Sequence, residues 1–530
     1  MVRDLIICVS LANLCFLDSW NDLQKLARAS YFLKTPADAT LLIATIGSVL
    51  LVAAGFWIAL LVARSVGHPM GMRLARAGFL LCAGVPLTLT LRTIPFYSWL
   101  APWFTGALTA GVILIAALPL FGMGRAVIRV QTQLILALAP LFVISLLYLT
   151  INFRKLASPY SYVDAPRRHA LSKRRQQGFR VVWFVFDEFD ECLVFRNRPA
   201  QIALPELDRL RAQALYATDA RSPATMTTIS MPALITGKLL FDAQATRTNE
   251  LLLTFQGSEK KAGWSTLPNV FSAAGAAGFN SGLVGWHHPY CRVIGNDVSK
   301  CYWEPNLDAS TFLRSQAYSS QVGILQTIRL QILQHIEDLA LFRRLHLHWG
   351  DATAEEYKLT RRQHSVSYFA TLKAAASMIT DPDLDLILLH LPVPHPEGIY
   401  NRYKAAFTLD ESNDYLDNLE VADMTVGKLR HLLETSGLDD RTALLVTSDH
   451  PFRKNIWSLR PTWTAEERAT LGGKACPSVP FMLKLPGQSA SAAYHREFNT
   501  VITAQLLLDV LRGDLHSSND VMAWLDAHAR

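Results

Sequence analysis

The sequence predicts an α/β protein with a membrane half: an N-terminal transmembrane helical bundle of about five helices, followed by an α/β/α sandwich. Three observations predict it. Apolar residues crowd the first 153 positions in long uncharged runs. From Gly178 onward, short β-rich runs end abruptly at acidic or histidine residues and alternate with stretches of helical period, as in a parallel sheet covered on both faces. The charge divides along the same line. Residues 1–180 carry 18 Lys/Arg against 5 Asp/Glu and the remainder 33 against 39, so the net +7 is +13 followed by −6. The organisation expected is residues 1–153 as transmembrane helices, 154–178 as a basic juxtamembrane linker and 179–530 as the α/β domain.

The helices come first. Residues 39–63 form an uncharged run of 25, long enough to cross a bilayer at about 1.5 Å per residue. Arg92 and Arg125 bracket an uncharged stretch of 32, whose centre, Phe104–Gly122, reads as a second span. Phe96, Tyr97, Trp99 and Trp103 beside it suit an interfacial belt. Gln131–Asn152 is a third span. Two shorter candidates complete the five: Ala77–Leu91, whose flanking arginines would snorkel, and Leu5–Leu17, which lacks a small-residue cleavage site and reads as an uncleaved helix. For both, a re-entrant or interfacial helix is the alternative.

The loop Arg64–Arg76 carries three Arg and Arg125–Arg129 two. Positive-inside reasoning places these loops in the cytoplasm and the C-terminal domain outside. The linker from Phe153 to Arg180, with eight basic residues, pulls the other way; a basic collar of this kind also meets anionic lipid. The expectation is an integral protein of a bacterial-type inner or plasma membrane, its catalytic domain extracytoplasmic. No basic stripe interleaved with aromatics runs through the C-terminal part, so nucleic acid is not an expected partner. Membrane lipid is. The spans hold no interior acidic residue or paired charge that would mark a transporter's ion path. Of seven cysteines, Cys8, Cys15 and Cys82 lie in apolar stretches and read as packed thiols. Cys291 and Cys301 flank a polar turn; they either close a small disulfide loop, which implies an oxidising compartment, or stay free.

The strands carry the chemistry. Val181–Phe186 stops at Asp187-Glu188, Leu386–Leu389 runs into a Pro/His-rich loop, and Ala443–Val446 ends in Thr447-Ser448-Asp449-His450. Ligands of such sheets bind beyond the carboxyl ends of the strands. Carboxylates and imidazoles gathered there suit a divalent cation: zinc first, manganese or calcium otherwise. Strand-end Asp residues also cap helices and make turns, yet an adjacent Asp-Glu and an adjacent Asp-His, each directly after a buried strand, fit that reading poorly. Between them, Ser222-Pro-Ala-Thr-Met-Thr-Thr-Ile-Ser-Met-Pro-Ala-Leu-Ile-Thr-Gly237 takes a hydroxyl-rich loop into an apolar helical turn. A helix N-terminus suits an anionic ester, and a threonine there, its hydroxyl on a metal, can serve as a nucleophile; by composition alone an N-cap cluster of Ser/Thr is the favoured reading.

Taken in order, apolar strand–Asp/Glu, Thr-x-x-Ser-x-Pro-x-Leu-x-Thr-Gly, His-x-Pro-x-Pro-His-Pro and Thr-Ser-Asp-His resemble the alkaline phosphatase/sulfatase superfamily, and within it the membrane-anchored phosphoethanolamine and phosphoglycerol transferases. The similarity runs from about residue 179 to 487. It implies an alkaline phosphatase/sulfatase-like α/β/α sandwich and selects Thr227 as nucleophile, counted both from Gly237 and from the Thr-x-x-Ser-x-Pro spacing. It implies metal ligation by Asp187, Glu188, Thr227, Asp449 and His450, and a catalytic His395 near the transferred group. His287, in Gly285-Trp286-His287, and His390 are implied as substrate-binding residues. Departures matter too. Ser230-Met-Pro-Ala-Leu234 mimics the sulfatase formylglycine motif but sits three residues out of register and has Leu where Arg belongs, which disfavours sulfatase chemistry. Pro451 replaces the usual Gly after Asp-His, and no His lies between His450 and His495, so one metal is expected rather than two.

The function expected is a membrane-bound, metal-dependent phospho-group transferase acting on a lipid head group or envelope glycan through Thr227. The alternatives are a phosphate or sulfate ester hydrolase of the same family, or a non-catalytic membrane protein that kept the fold. Gln244–Lys261 and Ser310–Asp351 carry no motif; helical period in the second suggests a substrate-facing insertion.

Overall fold

The computed structural model describes residues 1–24, 26–66, 68–92, 102–121, 123–156, 162–165, 179–309, 311–337, 352–410, 412–460, 462–471 and 476–528. The aromatics Phe96, Tyr97 and Trp99, the Trp103 side chain and most of the basic linker lie outside the described residues. The chain forms two compact units, and no single cut separates them. One unit holds residues 1–27, 37–158 and 311–356; the other holds 28–36, 159–310 and 357–530.

The first unit is helical: α1 (Val2–Cys15), α2 (Thr40–Ser65), α3 (Pro69–Arg92), α4 (Pro102–Ala117), α5 (Arg125–Leu138) and α6 (Pro140–Leu156). Among the described residues, two stretches are long and apolar enough to cross a membrane: Thr40–Ser65 and Arg125–Ile151. The second joins α5 to α6 across Ala139, where Pro140 has no backbone N–H to give the helix. α3 is 24 residues long rather than the 15 expected, because the helix continues back through Arg76 and Arg73 to Pro69. Polar side chains tie the helices together: Ser10 Oγ donates to the Ile135 carbonyl at 2.6 Å, and Gln131 Nε2 to that of Phe79 at 2.9 Å.

A helix at Thr311–Glu337 belongs to this unit, not to the α/β unit whose strands flank it in sequence. The described part of the insertion expected at Ser310–Asp351, Thr311–Glu337, is helical on either side of a break at Gly323 (φ 79°) and packs on α2. Ser48 Oγ donates to Gln331 Oε1 at 2.7 Å, Gln331 Nε2 donates to Thr45 Oγ1 at 3.0 Å, and Gly47 leaves room for Ile328. Its polar face answers the few polar positions of α2, which is why its own sequence looks only weakly apolar.

The second unit is built on an eight-stranded sheet: β1 (Arg180–Asp187), β2 (Leu215–Ala217), β3 (Ser281–His287), β4 (Lys300–Pro305), β5 (Leu386–Pro394), β6 (Thr442–Ser448), β7 (Phe481–Lys484) and β8 (Ala492–Tyr494), in the spatial order β8-β2-β7-β6-β1-β5-β3-β4. The five strands from β6 to β4 are parallel. β7 runs antiparallel to both β6 and β2, so the sheet is mixed rather than purely parallel. Every residue of β1, β5 and β6 is buried. Val181, Trp183 and Val185 pack into one core, and Val182, Phe184 and Phe186 into the other on the opposite face. Two helices flank the carboxyl-end residues of the sheet: α7 (Thr227–Thr236) and α8 (Tyr415–Thr435). Gln244–Lys261 falls within a separate three-stranded antiparallel sheet.

Candidate metal and nucleophile site

Register brings the first residues together. Phe186 of β1 pairs with Ser448 of β6, so the next residues, Asp187 and Asp449, emerge side by side at the carboxyl ends of adjacent strands. Ser448 Oγ fastens the corner: it donates to the Phe186 carbonyl at 2.8 Å and accepts from the Phe189 N–H at 2.9 Å. On the other flank of β1, His390 of β5 pairs with Val185, and β3 ends at His287. Thr227 opens α7 behind the extended Met226, and the helix closes on Gly237, whose φ of 67° a side chain would strain. The turn therefore presents Thr227 at the end of the helix that favours anions.

Thr227 Oγ1 lies 3.2 Å from Asp187 Oδ2 and 3.2 Å from His450 Nε2. His450 Nε2 is in turn 3.4 Å from Asp449 Oδ2 and 3.6 Å from Asp187 Oδ1. Asp187, Asp449 and His450 are fully buried and Thr227 nearly so. Burial, then the neighbouring charges of Asp449 and Glu188, hold the Asp187 carboxyl well above the usual carboxylate range. Burial also raises Asp449, and it lowers the His450 imidazole to about 4. Three buried atoms here carry no hydrogen bond among the described residues: Asp187 Oδ1, Asp449 Oδ2 and His390 Nε2. Buried charges left in this condition are costly unless a partner of opposite sign is supplied.

A divalent cation fits that requirement. One ligand atom from each of Asp187, Asp449 and His450 lies within 4.8 Å of the others. Ligands about 2.0–2.1 Å from a tetrahedral zinc stand about 3.3–3.4 Å apart, close to the separations of 3.2 to 3.6 Å among these atoms. A second cluster, Asp190 with Cys192 and Cys476, does not suit a metal, because its cysteines are joined in a disulfide.

Glu188, expected among the ligands, is committed elsewhere. Its φ of 62° turns the chain away from the line of β1. Its carboxylate accepts from Arg453 Nε and, at 2.5 Å, from Trp457 Nε1. His287 lies beside Thr228, with Nε2 3.1 Å from Thr228 Oγ1 and Nδ1 3.3 Å from Asn306 Nδ2. His390 Nδ1 meets the Tyr290 hydroxyl at 2.9 Å, and its orphaned Nε2 points toward Asp187 Oδ2 at 4.0 Å. Among the described residues no hydrogen bond joins His395 to a carboxylate. Its Nδ1 faces the Pro396 carbonyl, and its ring packs edge-on to Trp286 and Trp457 along a cleft lined also by His364 and Asp308. Ser230 is tied to the Ala224 carbonyl at 2.9 Å.

Several participants gave no signal in the sequence. Arg453 follows Asp449 by four residues, but only the fold shows that it answers Glu188 across 265 positions. His288 Nε2 lies 3.1 Å from the Thr227 carbonyl. Cys291 and Cys301 are bonded, and a second disulfide joins Cys192 to Cys476 across 284 residues, which no spacing rule would pair.

The sequence model of the sulfatase family matches residues 181–501. No curated protein matches. Similar solved structures include the PsFucS1 sulfatase from Pseudoalteromonas sp., at 16% identity over 64% of this chain and 69% of that one with a TM-score of 0.39. The lipoteichoic acid synthase LtaP from Listeria monocytogenes is similar at 12% identity over 65% and 74% with a TM-score of 0.37. The phosphonate monoester hydrolase of Agrobacterium radiobacter is similar at 12% over 63% and 77% with a TM-score of 0.34.

Proposed function

The chain belongs to the sulfatase family, and from that premise we propose that it is a membrane-bound phospho-group transferase whose nucleophile is Thr227. The observation that carries the reading is the Thr227 hydroxyl, held 3.2 Å from both Asp187 and His450 at a helix N-terminus. A divalent cation held by Asp187, Asp449, His450 and the Thr227 oxygen would neutralise charge at the ester and ease ionisation of the hydroxyl; zinc suits this donor set. Ser230, the only rival in a sulfatase-like pattern, spends its hydroxyl on a backbone carbonyl.

In the first half-reaction the bond from Thr227 Oγ1 to phosphorus forms as the bond from phosphorus to the lipid alcohol breaks. The threonine proton leaves to Asp187 Oδ2 and passes on to the departing alkoxide, so the lipid alcohol leaves neutral and Asp187 ends as it began. In the second half an acceptor hydroxyl attacks phosphorus, the bond from phosphorus to Thr227 Oγ1 breaks, and the proton the acceptor gives up ends on that oxygen, restoring Thr227. His395 serves that half. With Nδ1–H donating to Pro396, its neutral Nε2 is an acceptor, suited to the proton of the incoming hydroxyl. His287 and His390 border the transferred group.

Two apolar stretches, Thr40–Ser65 and Arg125–Ile151, support membrane anchoring, and α1, α3 and α4 would complete five helices. Both disulfides lie in the α/β unit, whereas Cys8, Cys15 and Cys82, the free thiols, lie in the helical unit. That division supports an extracytoplasmic α/β unit, where disulfides persist. Hydrolysis, with water as the acceptor, is the second reading, favoured by the family match itself. The test is peptide mass analysis after quenching with a phosphate ester. The transferase reading expects a phosphoryl group on Thr227 and then on a lipid or glycan acceptor; release to water alone selects the hydrolase, and an unmodified Thr227 in an active protein removes the assignment.

A further inference from the structure

Residues 28–36 come from the N-terminal stretch between α1 and α2, yet they fold as part of the α/β unit. This strap is anchored at several points. Arg292 Nη2 donates to the Tyr31 carbonyl at 2.6 Å, Lys34 Nζ pairs with Glu304 at 2.6 Å, and the Phe32 ring lies 4.9 Å from that of His287. Tyr31 itself is wholly buried. Its hydroxyl lies 3.0 Å from His288 Nδ1, and His288 Nε2 lies 3.1 Å from the backbone carbonyl of Thr227.

The chemistry of the atoms fixes the direction of this chain of bonds. The Thr227 carbonyl only accepts, so His288 Nε2 carries the proton. The ring is sealed from water with no carboxylate bonded to it among the described residues, which keeps it neutral and makes Nδ1 an acceptor. The Tyr31 hydroxyl must then be the donor. Each bond leaves one arrangement for the next, and the last one holds the first residue of α7.

We infer that Tyr31 is a positioning residue for the nucleophile: through His288 it fixes the backbone of Thr227, so the α/β unit is complete only with the strap from between the first helices. This rests on Thr227 being the nucleophile. Positional error at a reacting atom costs rate rather than binding, and the loss of one buried hydrogen bond is expected to cost about tenfold.

The full-length protein in detergent is the material, and p-nitrophenyl phosphate the probe. Tyr31→Phe, which removes only the hydroxyl, should lower kcat and the rate of Thr227 labelling about tenfold with KM changed less than about twofold. Its melting temperature, measured alongside, should stay within a few degrees. His288→Gln, which keeps a donor for Thr227 and an acceptor for Tyr31, should stay near wild type, whereas His288→Leu should fall as Tyr31→Phe does. Adding Tyr31→Phe to His288→Leu should cost nothing more. Wild-type kcat in folded Tyr31→Phe, or full additivity with His288→Leu, overturns the inference alone; absence of Thr227 labelling in the wild type overturns the nucleophile reading and this inference with it.

Discussion

Glu397 and Asp187 are both deeply buried acids near strand ends, yet the fold treats them differently. Glu397 accepts from Arg460 at 3.0 Å and Thr462 at 3.2 Å and lies 3.4 Å from Arg361, while Arg460 also binds Asp308 at 2.8 Å. That network closes on itself. Glu188 is closed too, by Arg453 and Trp457. Among the described residues, Asp187 and Asp449 have no arginine bonded to them, and each keeps an oxygen without a hydrogen bond. A chain that supplies cations to Glu397 and Glu188 and withholds them from these two leaves a place for a cation from outside.

The largest effects should come from breaking the open cluster. Thr227→Ala removes the hydroxyl shared by Asp187 and His450 and should lower turnover at least about 10³-fold, roughly 4 kcal/mol of barrier. Thermal melting should change little, because only one oxygen at a helix end is lost. Activity within tenfold of wild type would sink the nucleophile assignment.

The closed cluster should fail in the opposite sense. Arg460→Met strips Glu397 and Asp308 of a shared partner and should destabilise the fold by about 3–5 kcal/mol, the cost of an uncompensated buried charge. Denaturant titration of the full chain reads this directly. A change below about 1 kcal/mol would mean that Arg361 and Thr462 suffice, and that the network is less closed than its distances suggest.

Much of this contrast was legible in the sequence, and the illegible part has a physical cause. Asp187, Asp449 and His450 could be placed together because parallel strands put their carboxyl ends at one edge, and the Phe186–Ser448 register is what that rule requires. The motif singled out Thr227, and the fold sets its hydroxyl 3.2 Å from Asp187 and from His450. Glu188 was misjudged because adjacency in sequence says nothing about direction: a left-handed residue at the strand end sends its side chain to Arg453 and Trp457. The antiparallel β7 was missed because a four-residue apolar strand reads alike in either direction. The strap at residues 28–36 and the segment Thr311–Glu337 each belong to a unit whose other residues lie far along the chain, and no local period encodes a distant partner.

A smaller effect should appear when the open cluster is filled. Zinc added to the chelator-treated protein should stabilise it by about 2.7 kcal/mol at a hundredfold excess over Kd, read as a rise in melting temperature. Asp449→Asn should abolish the rise by removing a ligand, while Arg460→Met should keep it from a lower baseline. A zinc-dependent rise that survives in Asp449→Asn would place the ion elsewhere.

The smallest effect tests whether backbone N–H groups alone can stand in for a cation. Asp423 on α8 accepts from the Leu207 N–H at 2.8 Å and the Glu206 N–H at 3.3 Å, capping the helix Pro205–Arg211. Burial nevertheless raises its carboxyl to about 6. A raised carboxyl favours the protonated form in the folded state, so its contribution is full below about pH 4 and is lost as the pH climbs through 6. Asp423→Asn keeps an acceptor for Leu207 without that loss. Its stability relative to wild type should therefore improve as the pH rises from about 4 to about 6 and then level off. A difference that stays flat across that range would mean that two N–H dipoles keep the carboxylate ionised throughout. The open state of Asp187 and Asp449 would then reflect their mutual repulsion more than their burial.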